Sequence, residues 1–170
     1  MGTPHLCIHG HFYQPPREDP FTGQVPHEFG AAPFDNFNQK ITAECYRPNA
    51  ECGNFTRMSF DLGPTLASWL AEHEPKTYRL IVASARAHHE RHGYSNALAQ
   101  AYNHTILPLA TAQEKRVQIA WGITDYQYRF GHFPEGMWLP ETAADHATLR
   151  MLADFGIQFT VLAPWQAQQD

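Results

Sequence analysis

Apolar residues recur along this chain in two rhythms, short unbroken runs and three-to-four-residue spacings, and the two alternate. Leu6, Cys7 and Ile8 stand together in "HLCIHGHF", the pattern of a buried strand. "FTRMSFDL" reads as a second strand, followed by a turn at Gly63 and a helix opened by Pro64. Proline suits the first helical position because its missing N–H has no partner to lose there. Leu66, Trp69 and Leu70 mark one apolar face of that helix, and Pro75 ends it. In "TYRLIVASARAHHERHG", Leu80, Ile81, Ala85 and His88 fall at helical spacing, with Gly93 as the stop. "NALAQAYNH" reads as a short helix or helical turn, and "TILPLA" follows it. The clearest helix is "TAQEKRVQIAWGITDYQYRFG", where Val117, Ala120, Trp121, Thr124 and Tyr128 recur on one face. "GMWLP" is a strand, "AADHATLRMLADFG" a helix closed by Gly156, and "IQFTVLAP" a last apolar strand.

Three or four buried-type strands alternating with helices predict an α/β fold, with βα units on a parallel sheet. Residues 13–40 interrupt that alternation with a stretch crowded with Pro, Gly, Asn and Asp. Its Phe and Tyr content predicts an ordered loop packed on the body, and a loop of this length in a compact domain is usually functional or disordered. No repeat or linker divides the chain, so residues 1–170 read as one domain. Composition adds exclusions: 12 basic against 17 acidic residues, a net charge of -5, argue against a nucleic-acid surface. Cys7, Cys45 and Cys52 lack the number and spacing of a disulfide framework or zinc ribbon, and are expected as reduced thiols of a cytoplasmic protein. The N-terminus shows no signal-peptide pattern, and no apolar run approaches the roughly 20 residues of a membrane span.

Parallel βα folds carry their sites at the C-terminal ends of strands. Four features map there: His9-Gly10-His11, Asp61, Glu141, and "APWQ" with Trp165. His9 and His11 share one side of a strand because side chains alternate. The pair has three readings, half of a metal site, donors to sugar hydroxyls, or two satisfied buried histidines. The histidine-rich "AHHERH" reads as a solvated helix face. Glu141 has two readings. A glutamate opening a helix is favoured by the helix dipole alone. One placed directly after a strand end, with Trp138 nearby as a sugar platform, is also a catalytic candidate. A single carboxylate does not complete glycosidic hydrolysis, because retaining enzymes need an acid/base about 5–5.5 Å from the nucleophile.

"HGHFYQPPRE", "YNHTILPL" and "GMWLPETAAD", in that order, resemble glycoside hydrolase family 57, which holds α-amylases, 4-α-glucanotransferases and glycogen branching enzymes. The first stretch is similar to the family's opening H-x-H-x-P motif, with one or two extra residues before the prolines. The second is similar to the region that brings His104 near the sugar. "MWLPE" resembles the region whose glutamate is the nucleophile, a role that carries to Glu141. The resemblance implies the N-terminal portion of a (β/α)7 distorted TIM-like barrel and a retaining mechanism on an oligo- or polysaccharide of α-glucan type. It implies no cofactor and no required metal, with His9, His11 and His104 at the sugar; Asp61, Trp138 and Trp165, placed at strand ends, join them as substrate-binding candidates. The family's acid/base is an aspartate on a later strand. Asp61 and Asp145 do not fall where it should, so the chain is expected to be part of a longer catalytic barrel and inactive alone. Two other readings stand beside this one. The first is a metal-dependent polysaccharide deacetylase on a similar barrel, using the histidines as zinc ligands. The second is a non-catalytic glycan-binding role for the aromatic loop from Phe12 to Phe37.

Overall fold

The structure is a computed structural model describing residues 5–167. Four strands form a parallel sheet in the order β1 (His9–Phe12), β2 (Ser59–Leu62), β3 (Ala97–Gln100) and β4 (Met137–Trp138). Each strand lies beside its sequence neighbour, the order expected of a barrel arc. Gly136 adds a parallel bridge to Phe159, so the last apolar segment pairs at a single position. Among the described residues, no helix is long and apolar enough to cross a membrane.

Helices cover one face of this sheet. Between β1 and β2 run α1 (Phe37–Ile41), a wider helical turn over Thr42–Tyr46, and α2 (Arg47–Glu51). The helices α3 (Pro64–His73) and α4 (Pro75–His92) both lie between β2 and β3. A single helix, α5 (Ala112–Phe130), then leads to β4, and α6 (His146–Asp154) follows. Pro64 and Pro75 open their helices, as their fixed φ allows. Thr111 and Glu114 close a reciprocal cap on α5.

Strand alternation sorts the side chains. Phe12, Phe60, Leu62, Ala97, Ala99 and Met137 point to the helices and form the core with Phe55, Leu66, Leu70, Ile81, Ile119 and Phe130. The registers His11↔Asp61, Asp61↔Leu98 and Gln100↔Trp138 put His9, His11, Asp61, Gln100 and Trp138 together on the opposite face.

Several elements depart from the pattern-based expectation. Leu6 and Ile8 are exposed rather than buried, because β1 begins at His9 on the unpaired edge of the sheet. In the loop, Phe21 and Phe29 are also solvent-exposed. It is polar contacts that pin this segment: Arg17 bonds Glu28, Gln14 and Asn38, and Gln14 donates to the Tyr46 hydroxyl. "NALAQAYNH" contains β3, not a helix. Its alanines favour helix locally, but Ala97–Gln100 is buried between β2 and β4, where small side chains let α5 approach. The helix α5 forms where expected but buries a different face. Gln118, Ile119, Gly122, Ile123, Tyr126 and Phe130 face inward, while Trp121, Thr124 and Tyr128 are exposed. The reason is Gly122: a Cβ there would lie 2.0 Å from the carbonyl oxygen of Gln100, so this face alone permits the contact.

Gly122→Ala tests that contact by its sign. Helix propensity alone would stabilise the variant by about 1 kcal/mol. The clash with the Gln100 backbone reverses this, with an expected net loss of about 1–3 kcal/mol in urea denaturation.

Candidate active site

The carboxyl of Asp61 is fully buried and lies at the centre of the face opposite the helices. His9 Nε2 approaches Oδ1 at 3.1 Å, and His11 Nδ1 approaches Oδ2 at 2.8 Å. Gln100 Nε2 donates to Oδ2 at 3.0 Å. A carboxylate only accepts, so each histidine must carry its proton on the nitrogen facing Asp61. The two rings therefore hold opposite tautomers in their neutral forms. The second nitrogen of His9 meets Ser59 Oγ at 2.9 Å, and that of His11 meets His104 Nε2 at 3.2 Å.

Aromatic packing completes the arrangement. Trp138 stacks against both imidazoles, with ring centroids 5.1 Å from His9 and 4.9 Å from His11. His104 stacks on Tyr13 at 3.8 Å and 12°. Its backbone is left-handed, at φ 56°, which for a residue other than glycine marks a position held by its surroundings. Trp138 Nε1 and Gln100 Oε1 are buried and have no hydrogen-bond partner. Unpaired buried groups of this kind are uncommon and costly, so one donor and one acceptor stand beside the cluster without a bond.

Glu141 leaves β4 through buried Leu139 and Pro140. Its backbone has φ 56° and ψ 20°, and Thr142 follows at φ 52°. Two successive left-handed residues without a glycine store strain of order 1–3 kcal/mol each. The turn is closed by Thr142 N–H to the Leu139 carbonyl at 2.9 Å and Ala143 N–H to the Pro140 carbonyl at 3.0 Å. Glu141 is exposed, and its charge acts on His104. It does not open a helix, because α6 begins at His146, three residues later than expected. Asp145 caps it by accepting from Thr148 N–H at 2.7 Å. The bonds with Thr148, with Lys115 adding its charge, pull the Asp145 carboxyl down to about 2. The dipole explanation of Glu141 therefore falls away.

The structure brings together His9, His11, His104, Asp61 and Trp138, and sets Glu141 within electrostatic reach of His104. Trp165 is solvent-exposed. Its neighbour Gln166 donates to the Thr142 carbonyl at 2.7 Å, tying that segment to the Glu141 turn. Tyr13, Ser59 and Gln100 belong to the cluster and were missed from sequence. Gln100 was obscured by the helical reading of its strand. Tyr13 and Ser59 offered no signal beyond nearness to His11 and Asp61. As a metal site the cluster fits poorly. His9 and His11 meet different oxygens of Asp61, and the three side chains do not offer ligand atoms that all converge on one point.

The family model described as glycosyl hydrolase family 57 matches residues 27–163. A 1,4-alpha-glucan branching enzyme of Thermococcus kodakarensis is 44% identical over 52 residues, 30% of this chain and 8% of that protein. The crystal structure of a branching enzyme from that archaeon superposes at TM-score 0.66 and 19% identity, over 91% of this chain and 39% of the other. An alpha-amylase from Thermotoga maritima gives TM-score 0.68 at 14% identity, over 92% and 39%. The chain thus spans about two fifths of these structures and shares part of their (β/α)7 barrel fold.

Burial, and then the neighbouring His11, hold the His104 pKa below its ordinary 6.5, against the opposing pull of Glu141 and Asp61. The folded protein thus binds this proton less tightly than the unfolded chain, and stability falls as pH drops below about 6.5. Burial of His88 acts in the same direction. The urea midpoint should therefore fall between pH 7 and pH 5, and less so in His104→Asn. An unchanged pH slope in that variant would remove His104 from the account.

Proposed function

The chain belongs to glycosyl hydrolase family 57, and on that premise we propose that it contributes the nucleophile half of a retaining α-glucan-active centre, with Glu141 as the nucleophile. The observation that carries this reading is the strained, exposed Glu141 turn beside the imidazole and indole cluster. Backbone strain is retained where the surrounding structure enforces it, and such positions cluster at active sites.

The Glu141 carboxylate attacks the anomeric carbon as the glycosidic C–O bond breaks, giving a glycosyl ester. An acid/base residue protonates the departing oxygen. Neither Asp61 nor Asp145 offers that group: Asp61 is occupied by three N–H donors, and Asp145 caps α6. We assign it to a part of the protein outside residues 1–170, which form one partial barrel domain. The same residue then takes a proton from water, for hydrolysis, or from a sugar hydroxyl, for transfer, as that oxygen bonds the anomeric carbon and the ester bond to Glu141 breaks. His9, His11 and His104 orient hydroxyls, and Asp61 acts through the first two as a positioning residue. Trp138 walls the imidazoles and offers its unpaired indole N–H. Trp165, linked to the Glu141 turn through Gln166, supplies an aromatic face at the rim. Neither a cofactor nor a metal takes part, and we place the protein in the cytoplasm. The deacetylase alternative is not favoured, because the family model that matches most of the chain is that of the glycosyl hydrolases and the 44% identical relative is a branching enzyme.

In the protein that carries this chain, Glu141→Gln should lower turnover of α-1,4-glucans at least on the order of 1,000-fold while the fold persists. A 2-deoxy-2-fluoro glycosyl fluoride should label Glu141, read by peptide mass spectrometry. A label on another carboxylate, or full activity of the variant, would contradict the assignment.

A further inference from the structure

A second constellation of side chains lies at the opposite ends of the strands. His89 stands near the end of α4, before β3, while His132 and Glu135 lie in the turn that joins α5 to β4. One ligand atom from each of the three falls within 4.8 Å of the others. The imidazoles are stacked, with centroids 3.8 Å apart and planes 8° apart. His89 is thus half-buried rather than on the solvated face expected from "AHHERH".

The protonation pattern within the cluster has a direction. His132 Nδ1 faces the Phe133 carbonyl at 3.1 Å, and a carbonyl only accepts. That nitrogen therefore carries the proton, leaving Nε2 as a bare lone pair in the neutral ring. Nε2 is buried and has no hydrogen-bond partner, and neither has His89 Nδ1. A backbone carbonyl that fixes the tautomer of a histidine, with the other nitrogen left free, is the second-shell arrangement typical of metal-binding histidines. Unpaired buried atoms of this kind are unfavourable, and one shared ligand would satisfy both.

We propose that His89, His132 and Glu135 bind one divalent transition-metal ion of the zinc type. Two imidazoles and one carboxylate suit a borderline cation better than magnesium or calcium, which prefer all-oxygen sets. Binding requires each ring to turn slightly off the stack, a soft rotation about χ2. The ion would clamp the end of α4 to the turn entering β4. The Glu135 carbonyl in that turn also accepts from Gln158 N–H at 2.8 Å. The site lies at the N-terminal strand ends, away from Glu141, so its role is structural.

The test is zinc titration of the chelator-treated protein against a chromophoric competitor, with Co2+ absorption as a second readout. One zinc should bind and raise the Tm. Co2+ should give d–d bands without the thiolate charge-transfer band that cysteine ligation adds. His132→Ala and Glu135→Gln should each weaken zinc binding at least about 100-fold and remove the thermal shift, since even second-shell changes cost 10–100-fold. His11→Ala should leave the stoichiometry at one. If His132→Ala does not fold, Glu135→Gln decides, because its side chain is only half-buried. The proposal is overturned if no zinc binds at millimolar concentration. It is also overturned if both variants bind like the parent, or if only His11→Ala loses the ion.

Discussion

A carboxyl group taken fully out of water, and held by three N–H groups from two strands, fixes the arrangement of this protein's polar face. Removing the Asp61 carboxylate from solvent costs several kcal/mol. Bonds from His9, His11 and Gln100 offset it, each worth about 1.5–3 kcal/mol when one partner is charged. The consequence is geometric. Both imidazoles have their protons drawn toward Asp61, and their remaining nitrogens are directed to Ser59 and His104. Trp138 lies against both rings and limits their rotation.

That network depends on the parallel register. Because side chains alternate, one set of positions feeds the aromatic and aliphatic core under the helices and the other builds the polar face. A one-residue slip of β2 would exchange Asp61 for Phe60, burying a charge in the core and exposing an aromatic ring. The core and the polar face therefore enforce the same register. The close approach of Gly122 to the backbone of Gln100 fixes β3 from the helix side, so helix packing bears directly on a donor to Asp61.

Much of this was legible in the sequence, and the gaps have physical causes. Alternating apolar runs and helical spacings predict the parallel α/β layout, and Pro64 and Gly93 mark real boundaries. Strand-end position and motif single out His9, His11, Asp61, His104, Trp138 and Glu141 as candidates, and the first five lie together on one face of the sheet. Residues 97–100 do not read as a strand, because "ALAQ" has the local preference of a helix and becomes a strand through burial on both sides. The inward face of α5 is not the one its apolar count points to, because Trp121 and Tyr128 outweigh Gly122 in that count although the glycine makes the closer contact. The left-handed turn at Glu141 has no sequence signal, since neither Glu141 nor Thr142 is a residue that favours it.

The central claim is that Asp61 dictates the protonation of the histidine pair. Long-range 1H–15N correlation spectra of the histidine side chains at neutral pH measure this directly. The account predicts a proton on Nε2 of His9 and on Nδ1 of His11, with the pattern lost in Asp61→Asn. Finding the Asp61-facing nitrogen of either ring unprotonated, or the pattern unchanged without the carboxylate, would contradict it.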